Sequence, residues 1–324
     1  DQDFFRFSGI FRDIYLYTKP KCHLDDIEIK QVFESGSFDN VKLNLSVSLS
    51  NNANVALRLF DAMDFTLKSN EFKGFDEMPV VYKSVSNLHS GKNNLSFDVV
   101  APKLWSAEIP NLYTLYIEIF DGETLLEVST VKIGIRLFEK NADNVMTLNG
   151  KRIVFAGVDR HDFSSKFGRA ITFDEIKKDI VTMKENNINA IRTSHYPNSS
   201  ALYELCDIYG IYLIDECNLE THGSWDGILS GVSDYDFVLP GDKKEWLPLL
   251  LDRANSMYMR DRNHSSVLIW SCGNESYGGS DIYEMSEFFR NVDSSRLVHY
   301  EGVYNDRRYN DTSDIESRMY AKVA

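Results

Sequence analysis

The chain has 324 residues, of which 43% are hydrophobic and 26% charged, and its formal net charge is −14. This composition is ordinary for a folded globular protein, and no apolar run approaches the ~20 residues that a membrane helix requires. The acidic balance argues against nucleic acid as a partner, because phosphates would be repelled. The four cysteines show no CxxC pair, so we expect buried free thiols, which do not indicate a compartment.

The first part of the chain has the pattern of β structure. Residues 1–19 are strand-like and too short to fold alone, so we interpret them as the end of an upstream β domain. Within residues 20–137, apolar and polar side chains alternate strictly over 41–49, and further strands are predicted at 55–60 and 112–119. Several short strands in this length predict an immunoglobulin-like sandwich. No catalytic constellation appears in it, which favours a scaffold.

From residue 138 to 324 the pattern changes to alternating strands and helices. Candidate strands lie at 153–158, 189–192, 211–215, 267–275, 297–301 and 314–320. Such alternation predicts a parallel sheet with right-handed crossovers, and we expect an incomplete (β/α)8 barrel with about six of its eight units. An unclosed barrel leaves strand edges open, so the remaining units are expected from a longer protein or from a partner chain.

Local signals mark two of the helices. Thr172 followed by Glu175 forms a capping box that predicts a helix start, with Ile176, Ile180 and Met183 on its apolar face. Gly210 predicts the end of the next helix.

The candidate strand at 267–275 ends in Asn274 and Glu275. In a (β/α) barrel the carboxyl ends of the strands form the mouth where chemistry occurs. Glycoside hydrolysis needs a carboxylic acid to protonate the leaving oxygen and a second carboxylate on the other side of the sugar. Glu275 fits the acid, and Asn274 could donate to a sugar hydroxyl. A solvated turn after a core strand explains the same pair, and the spacing leaves both interpretations open.

Other polar side chains also close strands. Glu220 and His222 are two apart on what reads as extended chain, which places them on one side, and with Glu275 they could hold Mg²⁺. A hydrogen-bonded loop histidine is the alternative for His222. His161 and His195 could donate to hydroxyls in the transition state, although a single strand-end histidine is more often structural.

Three further side chains complete the set. Arg160 and Arg192 flank the strand-end histidines and are expected to form buried pairs with carboxylates under the barrel floor. Tyr320 ends the last candidate strand and is either a pocket residue or a core tyrosine.

Taken together, these motifs resemble glycoside hydrolase family 2, and within it the β-galactosidases of the large multidomain bacterial type. The similar segments follow one another along nearly the whole chain: 8–13, 104–113, 157–161, 192–197, 218–223, 260–264 and 273–276. A set of this kind in this order is far more specific than any single motif. By this resemblance, residues 1–19 end an N-terminal jelly-roll sugar-binding domain.

The resemblance implies a retaining hydrolase of terminal β-D-galactosides such as lactose. It implies roles for eight residues: Glu275 as acid/base; Glu220, His222 and Glu275 as Mg²⁺ ligands; His161, His195, Asn274 and Tyr320 as substrate contacts; and Asp3 as a contact to galactosyl hydroxyls and a Na⁺ ion. It further implies a homo-oligomer at full length. The Glu220–His222 arrangement is one that the related β-glucuronidases lack.

The sequence departs from the family pattern in two places. After His161 the loop lacks the extra histidine and proline common in the family, which puts the pocket edge in doubt. The family's nucleophilic glutamate lies on the seventh strand, beyond Ala324, and neither Glu301 nor Glu316 matches it. The resemblance therefore implies that the 324 residues alone are inactive.

Two alternatives stay open at this stage. One is a family 2 glycosidase for another β-linked sugar. The other is a non-catalytic sugar-binding or assembly fragment that needs a partner to complete its barrel. A bacterial protein of either the cytoplasm or the periplasm is compatible with the sequence.

Overall fold

The computed structural model describes most of the chain, namely residues 9–34, 36–61 and 80–319. The chain forms two compact units. The β unit consists of the described residues within Ile14–Ile153 and Asn263–Ser265. The α/β unit consists of those within Asp1–Asp13, Val154–Arg262 and Ser266–Ala324. None of the described helices has the length and apolar composition of a membrane span. The sequence-based boundaries at 19/20 and 137/138 stay predictions.

The β unit contains two antiparallel sheets. Their strands are β1 (Leu24–Phe33), β2 (Asn40–Leu49), β3 (Ala53–Asp61), β4 (Val80–Leu88), β5 (Gly91–Val100), β6 (Tyr113–Asp121) and β7 (Thr124–Ile133). One sheet has the order β1-β2-β5 and the other β4-β3-β6-β7. The alternation predicted for 41–49 is confirmed, because Val41, Leu43 and Leu45 of β2 are buried while the residues between them are more exposed. Their apolar faces form one core.

A small hairpin sheet follows, with β8 (Phe138–Lys140), β9 (Met146–Leu148) and β10 (Lys151–Arg152) in the order β10-β9-β8. Asn149 and Gly150 connect β9 to β10 with φ angles of 53° and 73°. Two successive positive φ angles are what a two-residue hairpin turn of type I′ requires, and Asn-Gly is the preferred pair for it.

The α/β unit is built on a parallel sheet of five described strands in sequential order. They are β11 (Gly157–Asp159), β12 (Ala190–Arg192), β13 (Tyr212–Glu216), β14 (Val267–Ser271) and β15 (Leu297–His299). The helices between and beside them are α1 (Phe173–Glu185), α2 (Ser200–Tyr209), α3 (His222–Leu229), α4 (Leu247–Asp261) and α5 (Ser280–Val292). All five residues of β14 are buried, in agreement with a strand covered on both faces.

The local helix signals are confirmed. Thr172 caps α1 by accepting from the Glu175 main chain, and the Glu175 side chain accepts from the Thr172 main chain. This reciprocal pair satisfies two amides that the first helical turn leaves unpaired. Gly210 ends α2 in the left-handed conformation with φ 73°. Ile176 and Ile180 are buried in the core of the unit.

Two predicted strands differ from the structure. The first was expected from residue 153 but begins at Gly157, because the Asn189 side chain contacts the main chain of Val154 and Ala156 in place of a strand partner. Over 314–319 the sixth candidate is not a strand. There the main-chain N–H of Asp314 donates to the Val298 carbonyl of β15, and the Asp314 carboxylate accepts from the Val298 main chain. The Asp314 side chain thus takes a hydrogen bond that a neighbouring strand would otherwise make.

Candidate active site

A cavity of about 500 Å³ opens at the parallel sheet of the α/β unit. Its polar wall is formed by side chains at or just after the carboxyl ends of the strands: Asp159, Arg192, His195, Asn274, Glu275, His299 and Glu301. Because parallel strands all end at one edge of the sheet, residues far apart in sequence meet there. The cavity therefore contains four of the sequence-predicted residues together with side chains that were not assigned a role.

An ion pair between Arg192 and Glu216 forms the floor. The Arg192 guanidinium donates from Nε and Nη2 to the two Glu216 oxygens at 2.6 and 3.0 Å. Ser271 donates to Glu216 at 2.6 Å, and His195 Nδ1 lies 2.7 Å from the same carboxylate. Burial favours a raised pKa for Glu216, but the Arg192 charge and these hydrogen bonds outweigh it and bring the pKa to about 2. Glu216 is therefore ionised at neutral pH.

The paired arginines predicted from sequence are confirmed. Arg192 binds Glu216, as above, and Arg160 Nη1 lies 2.6 Å from the buried Asp162 carboxylate. Such pairs are retained where both partners and their remaining hydrogen bonds are satisfied.

His299 sits beside this floor and remains neutral. Its Nδ1 lies 2.9 Å from the Ser271 hydroxyl oxygen. Burial, together with the positive charge of Arg192, lowers the pKa of His299 to about 4. The imidazole is thus a neutral hydrogen-bonding group in the cavity wall at neutral pH.

Glu275 follows β14 at the mouth, as predicted, and is 5% exposed. Its Oε2 lies 3.6 Å from His222 Nε2. Its main chain is in the left-handed region with φ 34°, and Gly273 before it has φ 135°. A Cβ on Gly273 would lie 2.8 Å from the Leu219 carbonyl oxygen, so only glycine allows this close approach. The turn that presents Glu275 is therefore fixed by tight main-chain packing.

Asn274 connects Glu220 to the floor. Its Nδ2 donates to Glu220 Oε2 at 2.8 Å, and its Oδ1 accepts from Arg192 Nη2 at 2.9 Å. Burial raises the pKa of Glu220 to about 7; the Asn274 hydrogen bond opposes this, and the charge of Glu275 adds to it. The other Glu220 oxygen, Oε1, is buried and has no hydrogen-bond partner among the described residues.

The expectation that Glu220 and His222 lie on extended chain is wrong for His222, which is the first residue of α3. The chain turns at Thr221, whose carbonyl accepts from the Ser224 main chain at 2.8 Å, and this turn starts the helix. His222 nevertheless reaches Glu275. Over residues 9–34, 36–61 and 80–319, no group of three His, Cys, Asp or Glu side chains is arranged to hold a metal ion. The Mg²⁺ set stays a prediction.

The remaining predicted residues divide into two groups. His161 and His195 come together, with ring centroids 5.4 Å apart and planes at 85°. Asp3 and Tyr320 lie outside the residues that the structure describes, so their predicted substrate and Na⁺ contacts stay predictions.

A cation–π stack lies next to the two histidines. The Arg169 guanidinium carbon is 4.3 Å from the Phe11 ring centroid and 4.2 Å from that of Tyr196. Arg12 donates to the Pro197 carbonyl at 2.8 Å. Residues 11 and 12 are thus held against the chain that follows β12.

The residues missed from sequence are Glu216, His299 and Glu301. Each stands at or just after the carboxyl end of a strand, which is the signal that could have identified them. Glu301 is 1% exposed and its Oε1 accepts from the Glu275 main chain at 2.7 Å. Burial raises the pKa of Glu301 to about 7, against the opposing effects of that hydrogen bond and of Arg192.

Comparison with known proteins gives a consistent result. Residues 140–324 match the family model "Glycosyl hydrolases family 2, TIM barrel domain", and residues 22–136 match "Glycosyl hydrolases family 2". The predicted fold class, a β-sandwich followed by part of a TIM barrel, is confirmed.

Curated relatives named beta-galactosidase match the chain, and two of them serve as examples. That of Halalkalibacterium halodurans is 49% identical over 99% of this chain and 30% of its own length. That of Clostridium acetobutylicum is 49% identical over 100% of this chain and 34% of its own length. The chain therefore spans about a third of the length of these relatives. The apo structure of Bacteroides uniformis beta-glucuronidase 3 has a TM-score of 0.75 at 21% identity, covering 93% of this chain and 35% of that chain, which shows a shared fold.

Proposed function

The chain belongs to glycosyl hydrolase family 2, and we propose that it carries the acid/base side of a retaining active site for terminal β-D-galactosides. The observation that carries the proposal is the position of Glu275. It is a buried carboxyl group at the strand mouth, 3.6 Å from His222, beside Asn274 and within the electrostatic influence of Glu220. The names of the curated relatives support galactosides as the substrate class.

In this mechanism Glu275 donates a proton to the glycosidic oxygen as the bond to the anomeric carbon breaks. A second carboxylate, about 5–5.5 Å away across the sugar, attacks the anomeric carbon in a retaining enzyme. Glu275 then takes a proton from the water that releases the sugar. Burial of the neighbouring carboxyl groups supports this role, since low solvent access strengthens each electrostatic interaction in the site.

The attacking carboxylate is not Glu301 in this proposal. Glu301 Oε1 accepts from the main-chain N–H of Glu275, so it lies on the same side of the site as the acid. A nucleophile must approach from the opposite face of the sugar. We place it outside the 324 residues, which agrees with a chain that covers 30% of a full-length relative.

The imidazoles of His161 and His195 and the amide of Asn274 are proposed to contact sugar hydroxyls. His195 is oriented by its Nδ1 contact to Glu216, which leaves Nε2 available for a ligand. Asp3 and Tyr320 are proposed to add contacts to the same sugar, Asp3 together with Na⁺.

Mg²⁺ is proposed to bind Glu220, His222 and Glu275. The donor chemistry fits, because Glu220 Oε1 is a buried carboxylate oxygen without a hydrogen bond among the described residues and Glu275 is a second carboxylate nearby. A bound Mg²⁺ would supply positive charge that offsets the effect of burial on Glu220, which raises the pKa of that carboxyl group to about 7. Calorimetric titration of the metal-free full-length protein with MgCl₂ tests this, and we expect Glu220→Gln to weaken binding at least ~10-fold. Asp226→Asn, on the exposed side of α3, is the control; equal affinity in Glu220→Gln and wild type contradicts the proposal.

The decisive experiment compares leaving groups in the full-length protein. With Glu275→Gln, kcat/KM for an alkyl galactoside should fall ~10²–10⁴-fold, because its leaving oxygen needs a proton. In an aryl galactoside with an acidic phenol, the phenolate leaves without being protonated. The rate of the first step should therefore fall much less for this substrate. Glu284→Gln, on the exposed face of α5, should change neither rate. Equal losses on both substrates would contradict the assignment of Glu275 as the acid.

Two further assays define the substrate and the role of the fragment. Comparison of galactoside, glucuronide and mannoside substrates on the full-length protein should show a preference for galactoside. The pure 324-residue chain should show no turnover of an aryl galactoside, because it lacks the proposed nucleophile.

A further inference from the structure

Glu301 makes a specific contact to the residue proposed as the acid. Its carboxyl group is 1% exposed and lies two residues after the end of β15. Its Oε1 accepts the main-chain N–H of Glu275 at 2.7 Å, across 26 residues of sequence. Glu301 lines the cavity, and its Oε2 is buried without a hydrogen-bond partner among the described residues. A buried carboxylate that uses one oxygen for a single main-chain amide is an unusual arrangement, since buried charged groups normally satisfy both oxygens.

The contacted amide belongs to a strained stretch of main chain. Glu275 has φ 34° and Tyr277 has φ 62°, and side chains larger than glycine rarely adopt such angles. Non-glycine residues persist in this region only when surrounding contacts hold them there. An N–H···O contact to a fixed acceptor sets the orientation of the peptide plane and therefore the direction of the Glu275 side chain.

Two neighbouring side chains accept hydrogen bonds from the main-chain amides of two neighbouring residues. Glu301 accepts from the N–H of Glu275, and the Tyr300 hydroxyl accepts from the N–H of Ser276 at 3.2 Å. Tyr300 and Glu301 are each 1% exposed, so neither acceptor competes with bulk water. The main chain on both sides of the Glu275 Cα is thus restrained from the end of the neighbouring strand.

We propose that Glu301 is a positioning residue for the acid/base chemistry. Its carboxylate holds the main chain of Glu275 in the left-handed conformation from which the acid reaches the glycosidic oxygen. The carboxyl group of Glu301 exchanges no proton with the substrate in this role. The inference rests on the function proposed above for Glu275. Its physical basis is that proton transfer requires the donor within hydrogen-bond reach of the acceptor, so a small change in direction is sufficient to lower the rate.

The test uses the full-length protein and pairs two substitutions at one position. Glu301→Gln keeps an oxygen that can accept from Glu275 N–H, whereas Glu301→Leu has similar volume and no acceptor. For an alkyl galactoside we expect kcat/KM to fall ~10²-fold in Glu301→Leu and by less than ~10-fold in Glu301→Gln. For the aryl galactoside with an acidic phenol, kcat/KM of Glu301→Leu should fall by less than ~10-fold, because that leaving group needs no proton. Glu316→Gln, on the exposed surface, is the control and should match wild type.

The leaving-group dependence separates positioning from a general structural role. If Glu301→Leu loses the same factor on both substrates, or if Glu301→Gln is as impaired as Glu301→Leu, the inference is overturned. If Glu301→Leu does not fold, Glu301→Asp replaces it. The shorter side chain withdraws the acceptor and should give the same selective loss; a uniform loss in Glu301→Asp also overturns the inference.

Failure of the inference can be distinguished from failure of the proposed function. Glu275→Gln is measured in the same assay. A selective loss in Glu275→Gln without one in Glu301→Leu rejects only the positioning role. The absence of a selective loss in Glu275→Gln rejects the proposed function and the inference together.

Discussion

Asn274 is joined to Glu220 twice, once through the side chains at 2.8 Å and once through a parallel β-bridge of the main chain. The main-chain N–H of Asn274 donates to the Leu219 carbonyl at 2.9 Å, so the two turns after β13 and β14 are fixed to each other. The side-chain oxygen of Asn274 also accepts a hydrogen bond from Arg192. Asn274 therefore connects the charged floor to the carboxyl groups at the mouth.

We expect Asn274→Asp to be more damaging than Asn274→Ala for activity. Aspartate keeps the acceptor for Arg192 but replaces the donor to Glu220 with a second carboxylate, which would repel it. Because Asn274 is 1% exposed, water cannot replace the hydrogen bonds that are lost. Either substitution should therefore cost about 1–3 kcal/mol of stability. Urea unfolding and galactoside kinetics of the full-length protein check this. Equal kinetics in the two variants would contradict the repulsion argument.

Protonation linked to His299 and to Glu216 should each lower the stability of the folded state, in two successive pH windows. His299 has its pKa lowered from 6.5 to about 4, so the unfolded chain binds a proton first and the His299 contribution falls between pH 6.5 and 4. Glu220 and Glu301, whose pKa values are raised to about 7, contribute with the opposite sign between pH 7 and 4.5. Glu216 has its pKa lowered from 4.5 to about 2, so its contribution is complete above pH 4.5 and is lost as pH falls toward 2. The Glu216 contribution is on the order of 3 kcal/mol. Urea midpoints measured from pH 7 to 2.5 should fall below pH 4.5, where Glu220 and Glu301 are protonated in both states and the Glu216 contribution is lost.

Removal of the Glu216 charge tests the second window. Glu216→Gln should be less stable than wild type at pH 7, because Arg192 is then buried without its anion. The difference between the two proteins should narrow below pH 4.5, while Glu284→Gln follows wild type throughout. A constant difference across the range would show that the charge of Glu216 does not contribute.

Two glycines with positive φ should respond differently to alanine. A Cβ on Gly279 (φ 117°) would lie 2.2 Å from the Gly241 carbonyl oxygen, whereas Gly231 (φ 71°) has nothing within 4 Å. Gly231→Ala should cost about 1 kcal/mol through its main-chain conformation alone. Gly279→Ala adds an overlap with main chain that cannot rotate away, so about 3 kcal/mol or more is expected. Thermal unfolding measures both, and similar costs would contradict the packing argument.

The Arg169 stack should protect the segment around Arg12 from proteolysis. Arg169→Met keeps the apolar stem but loses the charge that both rings attract, a loss of about 1–2 kcal/mol. Trypsin should therefore cleave faster after Arg12, which mass spectrometry of timed digests can follow. Lys166→Met, at an exposed position in the same loop, is the control. An unchanged rate after Arg12 in Arg169→Met would show that the stack does not hold the segment.

Local chemistry explains what the sequence could predict. The start of α1 follows from Thr172 and Glu175, three residues apart, and the end of α2 follows from Gly210 alone. The position of Glu275 after a buried strand could be predicted because an apolar run ends abruptly in a carboxylate. In each case the signal and the structure lie within a few residues of each other, so no knowledge of the tertiary fold was needed.

Long-range pairing explains what the sequence could not predict. The partner of Arg192 is Glu216, 24 residues later, and that of the Glu275 amide is Glu301, 26 residues later. No periodicity specifies which strand-end carboxylate turns toward which donor. The start of α3 at His222 was missed for a related reason, because helix formation there depends on the turn at Thr221 rather than on a strong capping sequence.

The left-handed conformation of Glu275 opposes thermal stability to catalytic turnover. Glycine or asparagine would occupy that main-chain geometry with less strain, so replacement there should raise the melting temperature. A laboratory selection for heat resistance alone should therefore tend to discard this glutamate. A selection that also requires sugar release should keep it, and the two lineages would diverge first at position 275.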